Sequence, residues 1–307
     1  MPTTTYTVFV TGATGTQGSA VARHLRTLGW PVHATARNMD APIVHELQAL
    51  GVEFTPGDWA NEVALTAAIA GCTRLFLNLI PNLADFSSEV PHARRILAIA
   101  RAAGVRHVVY SSGLSVQSPE TRAFYDPDSP PGKAMAWKRE VEELVKAGGF
   151  AHWTILRGGF FMANLLAPRV MMYPGLAETH VWTMAYTPET RLPLCDTEDI
   201  AKFAVAGFQD PARFDRKEIS IASESWTPEE LMAQLAEANG KDMRCRFLTE
   251  EEIETEKKKN MFVTAQLISR DMSKSVDIEA VKSWGIPLGT FKGFLKRESK
   301  AVKETYP

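Results

Sequence analysis

Cysteine is scarce: Cys72, Cys195 and Cys245 are the only three in 307 residues, far apart and odd in number. They form neither a metal-ligand spacing nor a disulfide framework. A reducing compartment follows, and a cytoplasmic location is the expectation. The 7 histidines do not cluster at ligand spacing and no H-E-x-x-H pattern occurs, so no metal is expected. A G-x-S-x-G elbow is missing too, which argues against a hydrolase. No apolar run approaches the ~18 residues of a membrane span. The opening residues carry no charged leader pattern, so no targeting segment is expected. Neither sign of charge is in excess: 34 Lys and Arg face 36 Asp and Glu, for a net charge of -2. That balance offers no footprint for nucleic acid or an anionic membrane. No heptad or apolar stripe stands out, which leaves a monomer or a weak homodimer.

What is present is an ordinary globular composition, 45% hydrophobic and 23% charged, in a chain long enough to bury a sizeable core. Short β-branched runs predict strands over 6–11, 32–36, 52–55, 75–79 and 107–111. Between them, helices are predicted over 19–28, 42–50, 62–70 and 91–103, several closed by glycine. Strand–helix alternation implies parallel βαβ units, with ligand at the carboxyl ends of the strands. Residues 118–132 hold four prolines and read as a long irregular loop, either a cover for a ligand or a plain surface excursion. Helix resumes over 134–146 and a strand follows over 153–156. From 163 to 191 the pattern blurs; Met171, Met172, Trp182, Met184 and Tyr186 suit either a pocket wall or plain core. Thr227 and Thr249 each open a capping box, and Asp277 and Thr290 look like helix caps. The charges over 250–259 read as a solvated helix face.

The most specific local signal is TGATGTQG over 11–18, between the first strand and a helix. Gly12 permits a tight turn, Gly15 lets the backbone approach a pyrophosphate, and Gly18 lets the helix pack closely. The helix N-terminus offers free N–H groups and a positive dipole end, and Thr14, Thr16 and Gln17 can add donors. Strand–turn–helix context makes this a dinucleotide site. The second strand ends in Arg37 where an acid would select NAD. Its planar fork suits a 2′-phosphate, so the cofactor expected is NADP(H). The plain alternative is a solvated charge. Asp58 and Trp59 follow the third strand, placed to accept from the adenine amino group and flank its ring; the alternative for Asp58 is a turn aspartate. Asn78 ends the fourth strand, near the cofactor's central ribose.

The ordered series of these residues resembles the NmrA-like family of atypical short-chain dehydrogenases/reductases. TGATGTQG, Arg37, Gly57-Asp58, Tyr110-Ser111-Ser112, WKREVEE over 137–143, TILRGGFFMANLL over 154–166 and PLCDTEDIA over 193–201 carry the resemblance along nearly the whole chain. It implies an α/β fold: a doubly wound parallel Rossmann sheet with a smaller, mostly helical C-terminal α/β domain. The expected division is an NADP-binding Rossmann domain over 1–157, with a returning segment near 191–222 in which 193–208 rejoins the sheet. Residues 158–190 and 223–307 would then form a smaller substrate or partner domain. The family includes enzymes and redox-sensing regulators.

Short-chain dehydrogenases use a tyrosine four residues before a lysine on one helix face. Lys138 takes the lysine position, to hold the nicotinamide ribose. Four residues earlier stands Ala134, which has no proton to give. Tyr125, Ser112 and Lys138 itself are the candidate proton donors. Gly159 would allow close approach to the nicotinamide amide, while Phe161 and Asn164 fall at nicotinamide and substrate-side positions. The reading is an NADPH-dependent oxidoreductase passing hydride to a carbonyl or conjugated carbon of a hydrophobic small molecule. The alternative is a non-catalytic NADP(H) redox sensor that regulates a protein partner.

Overall fold

The computed structural model describes residues 6–80 and 88–307. The leader reading of the first five positions lies outside the described residues. Contacts divide the chain into two units. The first comprises Met1–Gly113, Trp137–Arg157 and Ile200–Ile219; the second comprises Leu114–Ala136, Gly158–Asp199 and Ser220–Pro307.

The first unit alternates β1 (Val8–Val10), α1 (Thr16–Thr27), β2 (Val32–Ala36), α2 (Pro42–Ala49), β3 (Val52–Pro56), α3 (Glu62–Ile69), β4 (Arg74–Leu77), α4 (Glu89–Ala102) and β5 (His107–Gly113). Helix α5 (Pro130–Ala147) and β6 (His152–Gly158) follow. The β1, β4 and β5 side chains are buried on both faces, as in parallel sheets covered by helices. The seven-stranded sheet runs Lys217–Ile221, β6, β5, β4, β1, β2, β3. The β1–β2, β2–β3, β1–β4 and β4–β5 pairs are parallel. This is the doubly wound Rossmann order, and it reverses between β1 and β4, where the crevice for a dinucleotide opens. Phe9, Leu75, Val108 and Tyr110 of the sheet pack with Leu65, Ile96 and Val141 of the helices. Arg157 forms a buried fork on Glu142, with Nε at 2.9 Å and Nη2 at 2.5 Å, and also bonds Glu218.

Two local expectations need correction. Helix α5 starts at Pro130, so residues 130–132 are its first turn and not the end of a loop. Proline is tolerated there because first-turn N–H groups have no intrahelical partner. Only part of the segment over 193–208 returns to the first unit: residues from Ile200 belong to it, while Leu192–Cys195 pairs with Phe160–Phe161 and Glu224–Trp226 in a three-stranded sheet. Gly159 makes this possible, since a Cβ on it would lie 2.3 Å from the Pro193 carbonyl. The returning strand of the large sheet is Lys217–Ile221.

The second unit has its own core. Phe160, Trp182, Met184, Tyr186, Leu231 and Phe294 belong to it, which settles Trp182, Met184 and Tyr186 as core, while Met171 is exposed. Val181–Met184 pairs in parallel with Arg244–Phe247. Both capping boxes form, opening the helices Pro228–Asn239 and Glu250–Glu256, and Asp277 and Thr290 cap the helices they precede. Of the charges over 250–259, Glu254 pairs with Lys257 and Glu256 with Lys259 along the helix face, while Glu252 and Glu250 reach Arg246 and Arg270. Among the described residues, no helix is long and apolar enough to cross a membrane.

Candidate functional site

The glycine loop leaves the C-terminal end of β1. Gly12 turns left-handed at φ +62°, and a side chain there would close on the Asn78 carbonyl at 3.3 Å. Gly15 N–H donates to the Gly12 carbonyl at 2.9 Å, and Gly15 takes the N-cap position of α1. Among the described residues no side chain caps that helix, and its first turn holds no acidic residue. Its N–H groups and positive dipole end are left for an anion. Gly18 is excluded from carrying any side chain: its Cβ would lie 2.2 Å from the Gly12 carbonyl oxygen. Helix α1 therefore packs directly on the loop backbone. Thr14 and Thr16 are exposed and available as donors. Gln17 is partly engaged, since its Oε1 accepts from the Ser111 hydroxyl at 2.6 Å.

Thr11 locks β1 to β4. Its hydroxyl donates to the Asn78 carbonyl at 3.0 Å and accepts from the Asn78 N–H at 2.6 Å. Asn78 is thereby buried beside Gly12. Arg37 stands exposed just past β2 and makes no ion pair among the described residues, so its fork is open to a ligand. Asp58 does serve its turn: Oδ1 accepts from Ala60 N–H at 2.9 Å and Asn61 N–H at 3.0 Å. Trp59 is half-buried, edge-on to His92 at 5.9 Å. Burial, followed by the neighbouring Arg95 charge, holds the His92 imidazole below its usual range.

Lys138 is held rather than free. Its Nζ donates to Glu89 Oε1 at 2.8 Å and leans on the Leu79 carbonyl at 3.5 Å, just past the end of β4. The Glu89 side chain is fully buried, and Tyr110 Oη also donates to its Oε1 at 3.3 Å. Burial, then the Glu89 charge, pushes the Tyr110 phenol well above its usual range. With no exposed surface and its hydroxyl turned onto Glu89, Tyr110 does not replace the acid that Ala134 lacks. Ser112 points to the same face of β5 as Tyr110. Its hydroxyl is buried and lies within electrostatic reach of the phenol, without a well-formed hydrogen bond.

The remaining candidates belong to the second unit. Tyr125 is half-buried in a turn, its N–H bonded to the Arg122 carbonyl at 3.1 Å. Arg122 anchors that turn on Asp271 and Ser275. Gly159 has a packing reason to be glycine, the Pro193 carbonyl. Phe161 and Asn164 are both half-buried, on the short strand and the turn that follow Gly159. Cavities of about 410 and 470 Å³ also lie in this unit, and neither includes a glycine-loop residue.

The sequence pattern of the NmrA-like family matches residues 4–289. The chain belongs to the NmrA-like family. A NAD(P)H azoreductase of Xenophilus azovorans is 31% identical over 245 residues, covering 80% of this chain and 78% of that protein. A (4-alkanoyl-5-oxo-2,5-dihydrofuran-3-yl)methyl phosphate reductase of Streptomyces griseus is 31% identical over 237 residues, 77% of this chain and 75% of that one. The structure of an NADPH-dependent quinone oxidoreductase of Escherichia coli, complexed with NADPH, superposes with a TM-score of 0.73 at 23% identity. It covers 94% of this chain and 99% of that one.

Within this NmrA-like frame, sequence reasoning missed Ser111 and Glu89. Ser111 had a signal, as the strand-end partner of a loop residue. Glu89 had none: an acid at the start of a helix reads as dipole compensation, and its partner lies 49 positions away.

Proposed function

We propose that this chain is an NADPH-dependent oxidoreductase that delivers hydride to a carbonyl or conjugated carbon of a hydrophobic small molecule. The observation that carries the reading is the uncapped, acid-free N-terminus of α1 behind a loop where Gly18 tolerates no side chain. The reductase relatives point the same way. The residues fit a phosphorylated dinucleotide. Gly12, Thr14, Gly15, Thr16, Gln17 and Gly18 form the pyrophosphate cradle, and Arg37 takes the 2′-phosphate. Asp58 and Trp59 flank the adenine; Asn78 and Lys138 take the riboses. Gly159, Phe161 and Asn164 carry the nicotinamide end. When bound, NADPH supplies the hydride. Lys138 holds a proton at Nζ, and the Ser112 and Tyr125 hydroxyls are the remaining candidate donors. Water can serve equally when the acceptor is a polarised alkene. A dinucleotide-binding first unit and a substrate-binding second unit are part of the same proposal.

The test is NADPH consumption by the purified protein over a panel of quinones, azo dyes and conjugated ketones. Turnover with at least one class is expected, and Lys138→Met lowers it. No turnover with any class, with NADPH binding intact, would favour the redox-sensor reading that Ala134 keeps open. Arg37 gives a second expected result. Arg37→Ser removes a charged hydrogen bond of about 2 kcal/mol. It should weaken NADPH about thirtyfold while leaving NADH nearly unchanged, as read by calorimetry.

A further inference from the structure

We infer that Glu89 is a positioning residue of the nucleotide site: its buried carboxylate fixes the Lys138 ammonium past the C-terminal end of β4, so that the lysine meets the ribose already oriented. The inference rests on the NADPH reading above.

A buried carboxylate is costly unless paired and hydrogen-bonded, so its place in a core needs a reason. The Glu89 side chain has no exposed surface. Its position in the first turn of α4 accounts for part of its stability through the helix dipole. That does not account for its geometry. One oxygen, Oε1, collects both the Lys138 ammonium at 2.8 Å and the Tyr110 hydroxyl at 3.3 Å. The other, Oε2, is buried with no partner among the described residues, where a purely structural acid would normally be satisfied. Lysine is a point charge on a flexible stem with three donors. Glu89 takes one donor and the Leu79 carbonyl faces a second, which leaves one for a ligand hydroxyl. Preorganising that donor removes its ordering cost from the binding step.

The test is NADPH titration of the full chain, wild type beside Glu89→Gln, Lys138→Met and the double variant, with thermal melting of each. Glu89→Gln keeps the shape and removes the charge. It should weaken NADPH about tenfold, since a misplaced contact group forfeits its oriented contacts. The double variant should bind no more weakly than Lys138→Met, because both changes remove one unit. It should also melt above Lys138→Met, having lost the unpaired carboxylate. Should Glu89→Gln fail to fold, Glu89→Asp carries the same test: it keeps the charge and withdraws it by one methylene, and weaker binding is again expected. Wild-type affinity in a folded Glu89 variant, or losses that add in the double variant, would overturn the positioning role and leave the NADPH reading intact. Failure of the wild type to bind NADPH would overturn both.

Discussion

Gly18→Ala is expected to abolish dinucleotide binding and to lower the melting temperature together. The added Cβ would sit 2.2 Å from the Gly12 oxygen, 2.5 Å from the Gly12 carbonyl carbon and 2.8 Å from the Ala13 nitrogen. All three are backbone atoms, so no flexible side chain can move aside. Either α1 or the loop must shift, and overpacking of this kind costs about 1–3 kcal/mol or more. A shift of about 1 Å at the phosphate cradle corresponds to a loss of about 100-fold or more in binding. Gly15→Ala is the matched control. Its φ of -97° suits alanine, and the Cβ meets only the Gly12 oxygen, at 3.3 Å. That variant should melt much closer to wild type than Gly18→Ala yet bind NADPH more weakly, because it adds a methyl group to the loop proposed to cradle the pyrophosphate. Calorimetric titration and thermal melting of both variants check this pair. Wild-type affinity in Gly15→Ala would remove the loop from the site.

The second large effect concerns acid stability. His107 begins β5 with no exposed surface, and among the described residues neither ring nitrogen has a hydrogen-bond partner. Burial first, then the Arg74 and His152 charges, lowers its pKa from 6.5 to about 3. The sign follows from linkage. Below pH 6.5 the unfolded chain takes up a proton that the folded chain refuses until near pH 3. Stability is therefore fully present above the unfolded value and is lost as pH falls through that window, by about 4 kcal/mol from this residue alone. His107→Phe forfeits no hydrogen bond and keeps the edge-on contact with Phe208, now at 5.2 Å. It should match or exceed wild-type stability at neutral pH and lose much less on acidification. Urea melts at pH 7 and pH 4.5 read the difference, and parallel acid losses in the two proteins would contradict it.

Much of the first unit was legible because its signals are local. Alternating β-branched runs and amphipathic helices mark β1 to β5 and α1 to α4 to within a few residues, and the three loop glycines sit where a strand must turn tightly into a helix. Helix α5 was misplaced at its start because four prolines read as a loop, although the first turn of a helix accommodates two of them. The start of the 193–208 segment pairs with Phe160–Phe161 and not with the large sheet, because local pattern says nothing of partners; the close approach depends on Gly159 admitting the Pro193 backbone. In the stretch after Asn164, Trp182 and Met184 become core and Met171 stays outside, a distinction set by long-range packing. At the candidate site, Arg37 is proposed from its place past the second strand and Lys138 from the family resemblance. The buried Glu89 that holds Lys138 was not legible, because an ion pair between α4 and α5 leaves no periodic trace in the sequence.

NADPH selection by Arg37 is tested most directly by one calorimetric series with NADPH, NADP⁺, NADH and NAD⁺ on the purified protein. Tight NADPH binding is expected, with NADH and NAD⁺ weaker by an order of magnitude or more, because only the phosphorylated forms engage Arg37. Equal affinity for NADH and NADPH, or a preference for NAD⁺, would contradict it.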